Sequence, residues 1–287
     1  MAVRTTRLRP VLQLRADGTE RRRADTLAGE EPLEIRVGGA AFSVTMRTPG
    51  DDFDLVVGFL LSEGVVWHPD QVAGVSYAAG VNPDGTASYD VVDVRLAPGV
   101  AAPSASLERH VYTSSSCGVC GTASIEAVTK ASRFAVADDG CRVPLPVLLG
   151  LPERLRARQR LFDRTGGVHA AGLFVPDGDG GVDLVCLRED VGRHNAVDKV
   201  LGWALREGLL PLRGAVLQVS GRASFELVQK AHMAGVPVLA AVSAPSSLAI
   251  ELAEETGLTV VGFSRGSSAN VYSRPDRIAR TVAAPHG

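Results

Sequence analysis

Between residues 215 and 263 three short apolar runs alternate with two helix-like segments, and no other feature limits the fold as strongly. Residues 215–219, 236–242 and 258–263 are almost continuously aliphatic. Ser220–Ser224 leads into the helix expected over 225–234, and the serine-rich stretch 243–247 into one over 248–256. Strands apolar on both faces must be covered on both, which is the habit of parallel strands joined by right-handed helical crossovers. In such a unit the three strand C-terminal ends share one sheet edge, where open α/β sheets take their ligands. All three exits are built from Ser, Gly and Arg: Ser220, Gly221 and Arg222, then Ser243, then Ser264, Arg265 and Gly266. Free backbone amides beside Arg222 and Arg265 would suit a phosphate or pyrophosphate. Each exit alone reads equally well as ordinary helix capping.

Upstream, residues 1–30 read as a flexible tail with one edge strand at 11–14, and Arg21, Arg22 and Arg23 as a solvated charge run. Residues 31–108 read as a small α+β domain. Alternation over 33–37 and 42–46 around Gly38-Gly39 predicts a hairpin. Pro49-Gly50-Asp51-Asp52 is expected to cap a helix over 53–63, with strands at 72–77 and 89–96 following. Asp51, Asp52 and Asp54 fit a charged helix N-terminus better than a cation site. A Pro/Gly-rich shift over 97–106 marks the boundary to 109–287. There, one helix is expected over 122–130 and another from 144 to 163. A strand pair at 168–174 and 182–189 precedes a helix opened by 190–195, with Val197, Val200, Leu201 and Leu205 as its apolar stripe. His169 and His194 lie beside glycines at element ends, and each fits a hydrogen-bonded structural histidine as well as a site residue.

The stretch 113–121 holds Cys117-Gly118-Val119-Cys120 among serines and glycines, just before a helix start. Two sulfurs at that spacing can face one spot, and a thiolate near a helix N-terminus has a lowered pKa. Cys117 is therefore read as a reactive sulfur. Half of a structural zinc site and a redox pair remain alternatives. Zinc needs four ligands, and no second Cys-x-x-Cys follows at finger spacing; the redox motif expects a strand where three serines stand. Cys186, in mid-strand, reads as inert. Four cysteines in 287 residues are too few for a secreted disulfide framework, and a net charge of −2 argues against broad nucleic-acid or anionic-membrane binding. With no signal-like or membrane-length apolar run, a cytoplasmic location is expected.

Five blocks in order resemble the FdhD/NarQ family: residues 31–64, 114–121 (SSSCGVCG), 164–173 (RTGGVHAAGL), 189–202 (EDVGRHNAVDKVLG) and 220–231 (SGRASFELVQKA). The resemblance implies a cytidine-deaminase-like C-terminal domain, with a mostly parallel sheet sandwiched by helices, behind the α+β domain. It implies a sulfurtransferase that takes persulfide sulfur from a cysteine desulfurase onto Cys117, with Cys120 shielding, resolving or accepting it. The acceptor is a molybdenum or tungsten bis-molybdopterin guanine dinucleotide needed by formate dehydrogenase, and GDP-like nucleotides would mimic it. The family's cofactor-binding segment maps onto Phe263, Ser264, Arg265, Gly266, Ser267 and Ser268, with Ser220, Gly221 and Arg222 on the same edge. A homodimer is the expected assembly, with the desulfurase and the apo-dehydrogenase as partners. Deamination is not expected, because that chemistry uses His-x-Glu ahead of Pro-Cys-x-x-Cys, and here the cysteines come first and His169 lacks the glutamate. A chaperone that holds cofactor or apo-dehydrogenase without moving sulfur is the rival reading, and a structural zinc protein the other.

Overall fold

The computed structural model describes residues 5–78, 80, 90–103 and 131–280. Strands β1 (Thr6–Leu14) and β2 (Glu20–Ala28) pair as an antiparallel ribbon where a tail with a single edge strand was expected. The expected hairpin forms from β3 (Glu31–Val37) and β4 (Ala40–Arg47). Its two-residue turn needs left-handed backbone twice, with φ of 59° at Gly38 and 83° at Gly39, which glycine alone adopts without strain. Helix α1 (Asp52–Ser62) follows, then β5 (Val72–Tyr77) and β6 (Val91–Leu96). The four strands form a sheet in the order β4-β3-β6-β5, with β3 and β6 parallel.

The remainder runs β7 (Val143–Pro144), α2 (Leu145–Arg156), α3 (Arg160–Thr165), β8 (His169–Pro176), β9 (Val182–Asp190) and α4 (Arg193–Arg206). The alternation read from sequence then appears: β10 (Val216–Val219), α5 (Phe225–Met233), β11 (Val238–Ala241), α6 (Ser247–Thr256) and β12 (Thr259–Arg265). Strands β13 (Ser268–Val271) and β14 (Ile278–Ala279) complete the described chain, β14 pairing with β7. Where one helix was expected over 144–163 there are two, α2 and α3, parted at 157–159.

The large sheet has the order β13-β12-β11-β10-β8-β9. Only β10–β11 and β11–β12 are parallel; β13–β12, β10–β8 and β8–β9 are antiparallel. The sheet is therefore mixed, correcting the expectation of a mostly parallel one. Hairpins at both flanks make β8–β9 and β12–β13 antiparallel, and β10, reached from β9 through α4, lies against β8 and so runs antiparallel to it; only the α5 and α6 crossovers join neighbouring strands in parallel. Val219, Leu239 and Val260 share an apolar cluster with α4, α5 and α6, while Val216, Val238 and Val261 pack with Leu148 and Leu151 of α2 on the other face. Among the described residues no helix is long and apolar enough to cross a membrane.

Leu33, Ile35, Leu55, Leu60 and Leu61 lie in the same cluster as Val197, Val200, Leu217 and Leu239, so one core runs from the small sheet into the large one. Helix α1 joins them by crossing α4 at glycines. A Cβ on Gly58 would overlap the Asp198 carbonyl, and one on Gly202 the Asp54 carbonyl. Buried polar contacts follow the same seam. Lys199 Nζ reaches Asp190 (2.7 Å) and donates to the Thr48 carbonyl (2.8 Å); Asn195 Nδ2 donates to the Met46 carbonyl (2.7 Å). Lys230 sits 2.8 Å from both carboxylate oxygens of Asp198, which also accepts from Ser62.

Candidate functional site

The three strand exits converge on one edge because backbone hydrogen bonds join them. The Ser243 amide donates to the Gly221 carbonyl (3.2 Å), and the Phe263 amide to the Ser243 carbonyl (3.2 Å). The Ser246 amide donates to the Ala223 carbonyl (3.0 Å). Ser220 is tied to β8 twice, its amide donating to the Ala170 carbonyl and its Oγ accepting from the Ala170 amide (2.9 Å). Free backbone amides were expected at these exits, and those of Ser243, Ser246 and Phe263 are instead spent on this joining. A loop packed against its neighbours must find partners for its backbone, and the adjacent exits supply them.

Past Gly262 the β12–β13 register breaks, with Gly262 opposite Asn270 and Arg265 opposite Ser268. Phe263, in the break, is left-handed at φ 51°. Its side chain is 37% exposed, and Arg265, Gly266, Ser267 and Ser268 are exposed beside it. Ser264 alone of this segment is fully buried, and its Oγ has no hydrogen-bond partner among the described residues. Gly262 leaves no space for a side chain, since a Cβ there would lie 2.9 Å from Pro245 Cδ and 3.0 Å from the Tyr272 ring. Arg222 is exposed at the first exit.

The sheet also delivers a fourth exit to this edge. β8 runs antiparallel to β10 and β9 antiparallel to β8, so β9 ends, and β8 begins, where β10 ends. That brings His169 at the start of β8 and Arg193 and His194 at the start of α4 to the mouth of β10. Gly221 lies against the His169 ring, a Cβ there falling 3.5 Å from Nδ1. His194 Nε2 is 3.4 Å from Ser224 Oγ and 3.7 Å from Glu226 Oε2. The His194 ring holds the Glu226 carboxyl down to about 2, its attraction outweighing partial burial. Burial, then the charges of Arg193 and His194, push the His169 pKa below its usual value. Arg193 Nε is buried and has no partner among the described residues.

His169 and His194 stand apart along the chain, and Arg193, Ser224 and Glu226 join them in the site although none was a candidate from sequence. The available signal was that 190–195, like 220–224, opens a helix from a strand end; only the antiparallel pairings show that both openings share an edge. Asp190 anchors this corner, accepting from the amides of Gly192 (2.8 Å) and Thr48 (3.0 Å) while pairing with Lys199.

Cys117 and Cys120 lie outside the described residues. Cys186 is buried and Cys141 half-buried, and burial pushes both thiols up to about 12. Among the described residues no group of three or more His, Cys, Asp or Glu could hold a metal ion.

Comparison with known proteins adds an independent line. The model of the FdhD/NarQ family matches residues 28–279. A Streptomyces avermitilis protein named "Sulfur carrier protein FdhD" is 58% identical over 285 residues, covering 99% of either chain. The Mycolicibacterium paratuberculosis protein of that name is 59% identical over 256 residues, covering 89% of this chain and 93% of its own. The crystal structure of a Desulfotalea psychrophila protein, assigned as a formate dehydrogenase accessory protein, superposes with a TM-score of 0.72 at 23% identity. It covers 96% of this chain and all of that one, a likeness of fold.

Proposed function

The chain belongs to the FdhD/NarQ family and is a sulfur carrier protein, and we propose that the sulfur travels as a persulfide on Cys117. A cysteine desulfurase supplies it, and a molybdenum or tungsten bis-molybdopterin guanine dinucleotide, destined for formate dehydrogenase, is the substrate that receives it. In this reading the chain is a sulfurtransferase working in the cytoplasm, as a homodimer. Its C-terminal part is cytidine-deaminase-like, a reading supported by the parallel β10-β11-β12 unit with both crossover helices on one face.

The observation that carries the nucleotide assignment is the joined edge. Three exits rich in Ser, Gly and Arg sit side by side, with an exposed aromatic ring, an exposed arginine and a buried, unpartnered Ser264 hydroxyl on the last. Phe263 offers a face for a base, Arg265 and Arg222 offer charge for phosphates, and Ser264 Oγ has hydrogen-bonding capacity left over. Loading follows thiol–disulfide exchange: the Cys117 thiolate attacks the outer sulfur of the donor persulfide, its bond to the inner sulfur breaks, and the desulfurase thiolate leaves. Cys120 stands three residues away, where it can shield, resolve or accept the sulfur.

The test is mass spectrometry of the full-length chain after incubation with a cysteine desulfurase and cysteine. One added sulfur on the Cys117 peptide, lost in Cys117→Ala, is the expected result. A Cys117→Ala variant that still supports dehydrogenase maturation would transfer the role to a chaperone that moves no sulfur.

A further inference from the structure

We propose that His169, Arg193 and His194 form an oxyanion subsite at the mouth of β10, which takes the diphosphate of the guanine dinucleotide and leaves residues 263–268 to the base. The proposal rests on the guanine-nucleotide reading for its ligand, but the subsite is argued from its own geometry.

Three hydrogen-bond donors on two elements converge there with little acid to oppose them. His169 comes from β8, and Arg193 and His194 from the first turn of α4. Two carboxylates stand near. Asp190 is already committed to Lys199, Asn195 and the amides of Gly192 and Thr48. Glu226 is committed to His194, and with Ser224 it fixes that ring's Nε2 side. The Arg193 Nε is buried without a partner among the described residues. An arginine donor withdrawn from water with nothing to bond is an unmet desolvation cost, which a bound oxyanion removes with a charge-assisted hydrogen bond. The lowered pKa of His169, due first to burial and then to Arg193 and His194, reports the same crowding of positive charge. Arg222, exposed one residue beyond Gly221, can close over the ligand from the first exit.

The spacing suits a nucleoside diphosphate. The exits of β10, β11 and β12 are consecutive, so the His169–Gly221 contact and Phe263 are separated by two strand spacings, about 10 Å. A base stacked on Phe263 would send its diphosphate across Ser243 towards Arg193. Gly221 stands beside that path, a Cβ there falling in ordinary van der Waals contact with the His169 ring.

Titration calorimetry on the full-length protein tests this with inorganic pyrophosphate, GDP and guanosine as separate probes. Arg193→Ala is expected to weaken pyrophosphate and GDP alike by about tenfold or more, the loss of one charge-assisted hydrogen bond, and to leave guanosine unchanged. Arg193→Lys should recover part of the loss, and His194→Gln, which keeps a donor, should weaken pyrophosphate less than Arg193→Ala. Should Arg193→Ala fail to fold, Arg193→Lys and His169→Gln carry the comparison. The subsite is overturned if wild-type protein does not bind pyrophosphate, or if these variants bind it as wild type does. GDP binding no tighter than pyrophosphate would instead remove the guanine reading and leave the subsite standing. GDP binding that is lost in Arg265→Ala but untouched in every cluster variant would do the reverse.

Discussion

A thiol accepts or attacks sulfur only as thiolate, so the surroundings of each cysteine decide which can serve a sulfur carrier. Cys186 lies in β9 among apolar neighbours, and Cys141 lies close to Asp139; burial, first of all, raises both to about 12. At pH 8 only about one in ten thousand of either thiol is ionised. Brief iodoacetamide treatment of the folded chain at pH 8 is therefore expected to leave the Cys141 and Cys186 peptides unmodified, by peptide mass mapping. Rapid labelling of Cys186 would mean that β9 opens or that the thiol is activated. The Glu226 carboxyl, held down to about 2 by His194, shows the opposite sign. Its contribution is present above the usual glutamate range and is lost as pH falls through that range towards 2.

At the scale of elements, α1 and α4 depend on two glycines. Side-chain-free crossings let backbones touch, and here each glycine faces a carbonyl of the other helix: Gly58 that of Asp198, Gly202 that of Asp54. Gly202→Ala cannot be relieved by a rotamer change, because the obstacle is backbone. The helices must part, and separation costs packing along Leu55, Val197 and Leu201 as well. A loss of about 1–3 kcal/mol or more is expected, read as a lower urea midpoint with unchanged slope. A neutral result would show that the helices do not cross this closely in solution. Gly150, in α2 with open space where a Cβ would sit, is the control: Gly150→Ala should be neutral or slightly stabilising.

Across the whole molecule, the two sheets behave as one unit because charge as well as apolar surface is buried between them. Lys199 and Asp190 are 1% and 0% exposed at their side chains, and both also bond Thr48 from the N-terminal part. Lys199→Met leaves Asp190 a buried carboxylate without its cation, which costs about 3–5 kcal/mol in comparable pairs. Unfolding followed at Trp67, which follows α1, and at Trp203, on α4, is expected to shift together by that amount. Separate transitions for the two tryptophans would show that the seam is not cooperative. Because Asp190 also holds the Gly192 amide, the same substitution should disturb the start of α4 and the placement of His194.

Sequence alone determined whatever depends on neighbours along the chain. The Gly38-Gly39 hairpin, the strand–helix alternation from 216 to 265 and the stripe Val197, Val200, Leu201 and Leu205 all appear as read, because turn geometry and apolar period are local properties. Tertiary structure decided which ends meet. Antiparallel pairing of β8 with β10 and β9 sets His169 beside Gly221 and His194 beside Ser224, from which they are distant in sequence, and no spacing along the chain encodes that pairing. It also decided which amides are spent on joining the exits and which arginine donor is left without a bond, since both follow from packing between segments far apart along the chain.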